Sequence, residues 1–235
     1  MAAYPGRGAH GQVVEHLGRK IVTGGFAEGE TIDPVALEQQ LDVSRTVVRE
    51  ALRVLAAKGL IGARQKRGTF VRPRAEWHLL DGDILRWQFE GRTDPAFFHN
   101  LHEVRSIVEP AGARLAAQRR TDEDIAALEA ALQAMAEAGD DPSAAVQADL
   151  AFHRALLTAA HNELLLRMEA VVEAGLMVRD RLVHGAGVPV ADPLPSHRTV
   201  FNAIRGGNPV KAERAMRALL AQASEDLSRF RGDVE

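Results

Sequence analysis

The 235-residue chain contains no cysteine. That absence excludes disulfides, thiolate metal sites and cysteine nucleophiles. No apolar run approaches the ~20 residues that a membrane-spanning helix needs, and the N-terminus has no signal-peptide pattern. The expected location is therefore the cytoplasm, with no membrane partner. Catalytic signatures are missing as well: there is no Ser-His-Asp order, no nucleotide-binding glycine loop and no paired glutamates. An enzyme is not expected. What remains is an ordinary globular composition, 46% hydrophobic and 26% charged, in a chain long enough for two modest domains.

The net charge of −3 hides an asymmetry. Residues 1–74 hold 12 Lys and Arg against 7 Asp and Glu, a net of +5, which leaves 17 against 25, a net of −8, in the remainder. Residues 41–74 alone carry 9 basic and 2 acidic side chains. A small basic unit suits a phosphate backbone, which the acidic remainder would repel.

The basic unit reads as helices. Val13, Val14, Leu17 and Ile21 recur at helical spacing and stop at Gly24-Gly25. Asp33 caps a second helix with Pro34 in its first turn, running to about Leu41. Ser44 caps a third, closed by Gly59. The last two, with a tight turn between them, make a helix-turn-helix whose second helix turns Ser44, Arg45, Thr46 and Arg49 toward base edges. Val47, Val48, Leu52 and Leu55 form the opposite, core-facing stripe. Two short strands then flank Gln65-Lys66-Arg67-Gly68, a basic wing whose glycine allows a close approach to DNA.

The stretch "VSRTVVREALRVLAAKGLI", followed by "RQKRGTFV", resembles the winged helix-turn-helix of the GntR family of bacterial transcription regulators, over residues 8–73. The resemblance implies that Arg45 and Arg49 contact bases, and that Ser44 and Thr46 contact phosphate. It also implies that the wing, Arg64, Lys66, Arg67, Gly68 and Thr69, reaches double-stranded operator DNA.

Residues 74–95 read as a packed connector. From residue 96 the pattern is helical, with spans near 95–118, 122–138, 142–160, 162–184, 196–205 and 209–230 and no recurring strand. The expected class is therefore mainly α: the winged unit (1–73), the connector (74–95) and an antiparallel all-α bundle (96–235). Ser196 and Asn208 are expected N-caps.

Within that bundle, "QADLAFHRALLTAAHN" places Asp149 and His153 one turn apart among alanines and leucines. If buried, they require a partner: a cation, a metal or a polar ligand. The alternative is a wet surface pair worth a few tenths of a kcal/mol.

"LHEVRSIVEPAGARLAA", "ADLAFHRALLTAAHN" and "SHRTVFNAIRGGNPVKAERAMRALL" resemble the FCD (FadR-type) effector domain of that family, across residues 96–230. The resemblance implies a divalent metal on Asp149, His153 and His197. The fourth ligand of many members falls at Leu219, so water or an effector would complete the shell. Imidazole donors favour zinc, and a carboxylate with water extends the choice to nickel, manganese or magnesium. The resemblance also implies that Arg105 binds an effector carboxylate, the alternative being an ion pair with Glu109 at i+4. His184 is a candidate pocket residue, Glu109 and His161 read as structural, and His99 and His102 as surface or interface positions. "RGTFVRPRAEWHLLDGDILRW" and "HEVRSIVEPAGARLAAQRRT" resemble the sugar-acid regulators of the family, which implies an aldonate such as galactonate or gluconate as effector and a homodimer as the working form. Two alternatives stay open: a regulator of the same fold that responds to another organic acid, and a metal-dependent enzyme with a DNA-binding appendage.

Overall fold

The computed structural model describes residues 8–65, 68–90, 95–139, 141–185 and 192–232. The chain divides into two compact units, Met1–Thr93 and Asp94–Glu235.

The first unit holds helices α1 (Ala9–Val22), α2 (Pro34–Leu41), α3 (Arg45–Ala57) and α4 (Gly82–Glu90), and strands β1 (Thr31–Ile32), β2 (Ile61–Arg64) and β3 (Gly68–Val71). Local chemistry sets the helix starts. Asp33 accepts a hydrogen bond from the Val35 N–H at 2.9 Å with Pro34 behind it, and Ser44 accepts one from the Val47 N–H at 3.4 Å. Val13, Val14, Leu17 and Ile21 of α1 meet Val48, Ala51, Leu52 and Leu55 of α3 in one buried core. Each fully buried side chain of Val or Leu size contributes roughly 1.5–3 kcal/mol. Val47 is only half-buried, at the edge of that stripe. Gly59 follows α3 with φ 79°, where a Cβ would also lie 2.6 Å from the Glu76 carbonyl oxygen, so no other residue fits without strain.

The sheet is antiparallel in the order β1-β3-β2, with Ala63 opposite Thr69 and Thr31 opposite Phe70. The hairpin β2–β3 matches the two strands expected from the sequence. Strand β1 is an addition: two residues are too short to show a period of two.

Residues 74–90 are built into this first unit. Trp87 of α4 is fully buried, and a Cβ at Gly18 of α1 would overlap its ring. The Trp87 indole N–H donates to Glu15 at 2.8 Å, and Arg86 pairs with Glu15 (2.5 Å) and with Asp83 (3.1 Å). Lys58, one residue beyond α3, is held by Asp81 at 2.8 Å and Asp83 at 2.7 Å. Buried ion pairs add little net stability, but removing one partner strands the other, so they fix the register of α4 against α1 and α3.

The second unit is entirely helical among the described residues: α5 (Pro95–Arg119), α6 (Asp122–Glu137), α7 (Pro142–Ala159), α8 (Glu163–Leu166), α9 (Glu169–Gly185), α10 (Leu194–Arg205) and α11 (Pro209–Gly232). Thr121 and Asp124 form a reciprocal capping box, Asp141 caps α7 and Asn208 caps α11. The expected cap at Ser196 is displaced. Helix α10 begins at Leu194, whose N–H is taken by Asp192 at 2.9 Å, and the Ser196 hydroxyl instead donates to the Pro193 carbonyl. The expected single helix over 162–184 is interrupted between Leu166 and Glu169. Alanines 113, 116 and 117 of α5 are buried, which lets α5 lie close against α7, α9 and α11 around Phe152, Leu156, Leu157, Val200, Ile204 and Met216. No helix among the described residues is long and apolar enough to cross a membrane.

Candidate nucleic-acid interface and metal centre

In the first unit the turn between α2 and α3 spans Asp42 to Ser44, with Asp42 in the left-handed region (φ 50°). Helix α3 therefore leaves the turn with its N-terminal residues uncovered. Ser44, Thr46, Arg45 and Arg49 are all exposed, the two arginine side chains by 84% and 65%. An exposure that high on the face opposite a buried stripe is what reaching base edges requires. Arg53 continues the same face at four-residue spacing, with 66% of its side chain exposed, and pairs with Glu50 at 2.8 Å. The four-residue repeat of Arg45, Arg49 and Arg53 is visible in the sequence, and Arg53 extends the expected base-reading face by one turn. Arg64 and Gly68 are exposed on the hairpin, and half-buried Thr69 helps to line a hollow of about 320 Å³ rimmed by Arg45, Arg49 and Arg53. Lys66 and Arg67 lie outside the described residues.

In the second unit Asp149, His153 and His197 converge, each offering a donor atom within 4.8 Å of the others. The surface-pair reading of Asp149 and His153 fails, because the three residues are 9%, 1% and 1% exposed. Helix α7 supplies the first two from adjacent turns and α10 the third. Asp149 Oδ1 stands 3.4 Å from His153 Nε2 and 2.8 Å from His197 Nε2. Neither Nε2 makes a hydrogen bond, although both are buried. The Phe152 ring stands edge-on to both imidazoles, with ring centres 5.9 and 4.9 Å away.

The outer nitrogens are engaged elsewhere. His197 Nδ1 is 2.7 Å from the Pro193 carbonyl oxygen, an acceptor only, so the proton of a neutral ring sits on Nδ1 and a lone pair on Nε2. His153 Nδ1 is in ion-pair contact with Glu109 Oε2 at 2.5 Å. The other oxygen of Glu109, Oε1, accepts from Arg105 Nε at 2.5 Å, so the i+4 ion pair between Arg105 and Glu109 is present and buried. A Cβ on Gly175 of α9 would lie 2.7 Å from Arg105 Cδ, so the missing side chain there makes room for this arginine.

The charges favour a cation at the centre. Burial opposes ionisation of Glu109, yet Arg105 and His153 outweigh it and hold the carboxyl down to about 2. Burial likewise opposes the charge on Asp149, and the two histidines overcome it to keep the carboxyl well below the usual carboxylate range. Burial also works against an imidazolium at His153, but Glu109 and Asp149 raise it to about 9. With both imidazoles neutral, two carboxylates face one guanidinium. A proton or a metal ion supplies the missing positive charge.

The donor set fits a metal. Bonds of about 2.0–2.1 Å at tetrahedral angles separate ligand atoms by roughly 3.3–3.4 Å; Asp149 Oδ1 keeps 3.4 Å from His153 Nε2 and a shorter 2.8 Å from His197 Nε2. Two imidazoles and a carboxylate suit zinc or a neighbouring divalent ion and leave one tetrahedral position open. Leu219 is a buried core residue of α11 and offers no donor.

Three other histidines have local contacts. His161 contacts Asp124 at 2.7 Å, His99 pairs with Glu103 at 3.4 Å on the surface, and His102 is half-buried beside Ser106. The side chain of His184 lies outside what the structure describes. Glu109, Phe152, the Pro193 carbonyl and Gly175 were not foreseen as parts of the site.

A family model described as "Bacterial regulatory proteins, gntR family" matches residues 9–71, and the model of the FCD domain matches residues 100–222. The chain is 36% identical to the "Galactonate operon transcriptional repressor" of Escherichia coli K12, over 92% of this chain and 95% of that one. It is 32% identical to the "HTH-type transcriptional regulator LutR" of Bacillus subtilis, over 89% and 97% of the two chains. A solved structure of the Lar regulator of Listeria monocytogenes matches 97% of this chain and 99% of its own with a TM-score of 0.66. At 17% identity that likeness speaks for the fold alone.

Proposed function

The chain belongs to the gntR family of bacterial regulatory proteins, with an FCD domain as its second unit, and on that premise we propose that it is an operator-binding repressor released by a sugar acid. It is a DNA-binding transcription regulator and not an enzyme. The observation that carries the finer reading is the buried Asp149–His153–His197 cluster with Arg105 behind it, in a chain 36% identical to a repressor named for a galactonate operon.

In this reading the winged units of a homodimer bind two half-sites. Arg45 and Arg49 read base edges, Ser44 and Thr46 hold phosphate beside the positive end of α3, and the wing residues Arg64, Lys66, Arg67, Gly68 and Thr69 add further contacts. Ser44 serves both the helix cap and the DNA, since a hydroxyl that accepts from the Val47 N–H can still donate outward.

Asp149, His153 and His197 would hold a divalent ion, zinc by preference. The bound ion would act as a Lewis acid toward an effector carboxylate or adjacent hydroxyl. Arg105 gives only Nε to Glu109, and its two Nη groups are assigned to the effector carboxylate, where a guanidinium forms paired hydrogen bonds. Release requires that the effector favour a dimer whose recognition helices no longer match the half-site spacing.

The test uses His153→Ala and His197→Ala on a duplex selected from random DNA by the wild-type protein. Both variants should bind the duplex like wild type, because their lesions lie in the other unit, and galactonate or gluconate should fail to release them. Release of the variants at the wild-type sugar-acid concentration would remove the cluster from the mechanism.

A further inference from the structure

We propose that Glu109 is a positioning residue of the metal centre: its carboxylate fixes the His153 ring so that Nε2, not Nδ1, faces Asp149 and His197. This rests on the reading of the cluster as a metal site given above. Glu109 belongs to α5, is wholly buried, and has one oxygen against His153 Nδ1 and the other on Arg105 Nε.

A neutral imidazole carries one proton, and the nearest acceptor decides which nitrogen holds it. The Glu109 carboxylate lies in ion-pair contact 2.5 Å from Nδ1, not aligned as a hydrogen bond, and its charge draws the proton to that nitrogen and leaves the Nε2 lone pair for the ion. His197 receives the same treatment from the Pro193 carbonyl at 2.7 Å. The two acceptors differ in consequence. A carbonyl orients a ring, whereas a carboxylate also adds negative charge and makes the imidazole a stronger donor to the metal. His153 is therefore the more electron-rich of the two ligands. Arg105 holds the far oxygen of Glu109, and Gly175 leaves the space that arginine occupies, so the carboxylate is pinned from behind.

The competing role is plainer: Glu109 as the counter-ion of Arg105 alone. A double-mutant cycle separates the two. Zinc affinity is measured by competition with a chromophoric chelator for wild type, Glu109→Gln, Arg105→Gln and the double variant. A positioning role predicts that Glu109→Gln weakens zinc by roughly 10–100-fold in both backgrounds, because its target is His153. If the loss vanishes when Arg105 is already absent, or if Glu109→Gln binds zinc like wild type, the positioning role is overturned.

A second measurement needs no variant. Long-range proton–nitrogen correlation spectra of the zinc-loaded wild-type protein should show His153 bound through Nε2 with its proton retained on Nδ1. Zinc bound through Nδ1 of His153 overturns the proposal while leaving the metal centre intact. Failure of the wild type to bind zinc would instead overturn the metal reading itself.

Discussion

Zinc should raise the melting temperature of the metal-free protein, and the rise should depend on each of the three ligands. An ion that binds only the folded state stabilises it by RT ln(1 + [L]/Kd), about 2.7 kcal/mol when free zinc is 100 times Kd. The second unit, Asp94–Glu235, is about 140 residues long. At about 2.1 cal/mol/K per residue, its unfolding entropy is roughly 0.3 kcal/mol/K. The expected rise is therefore about 9 °C. His197→Ala deletes one of three donors and leaves the other two on α7. If its affinity falls 100-fold, the same zinc concentration supplies only about 0.4 kcal/mol, or about 1 °C. Differential scanning calorimetry on chelator-treated protein, with zinc added back, reads both numbers. An equal rise in wild type, His197→Ala and Asp149→Ala would mean that zinc acts elsewhere.

Three further outcomes are expected. Arg49→Ala should lower the preference for operator over random DNA by roughly 1–3 kcal/mol, whereas Lys66→Ala should weaken all duplexes alike and flatten the salt dependence; an unchanged preference in Arg49→Ala would refute the recognition-helix assignment. Gly18→Ala forces a methyl group against the buried Trp87 ring and should cost about 1–3 kcal/mol in urea unfolding, so a variant as stable as wild type would contradict that packing. In zinc-free protein, burial opposes the His153 imidazolium but Glu109 and Asp149 raise it to about 9, above its ordinary 6.5. Its contribution is then fully present below pH 6.5 and lost as pH rises through about 9. Wild type should lose more stability than His153→Gln over that window, and parallel losses would refute the assignment.

The parts of the molecule legible in the sequence were those governed by local chemistry. Asp33, Ser44 and Asn208 announce helix starts because a short polar side chain satisfies the first free N–H groups. Asp149 and His153 point to a buried polar cluster because a carboxylate and an imidazole at i,i+4 share one face of an otherwise apolar helix. Leu219 was legible as a departure, and it is indeed core. What escaped was long-range. No spacing rule connects Glu109 on α5 to His153 on α7, or Trp87 to Gly18 and Glu15, since each contact exists only after helices pack. Glu109 could be placed beside Arg105 by the i+4 rule, and that pairing hid its second oxygen. Ser196 misled for a related reason: the helix starts two residues earlier, at Leu194, whose N–H is already taken by Asp192.

In the proposed mechanism, metal and sugar acid meet at one site in the helical unit and together control the DNA-binding unit. That mechanism is tested most directly by titrating galactonate and gluconate into the protein–operator complex, once zinc-loaded and once treated with chelator, while reading operator release by fluorescence anisotropy. Release is expected at a much lower concentration of at least one of the two acids in the zinc-loaded protein, with zinc affinity raised by the same factor when that acid is present. Release at the same concentration with and without zinc would contradict the mechanism.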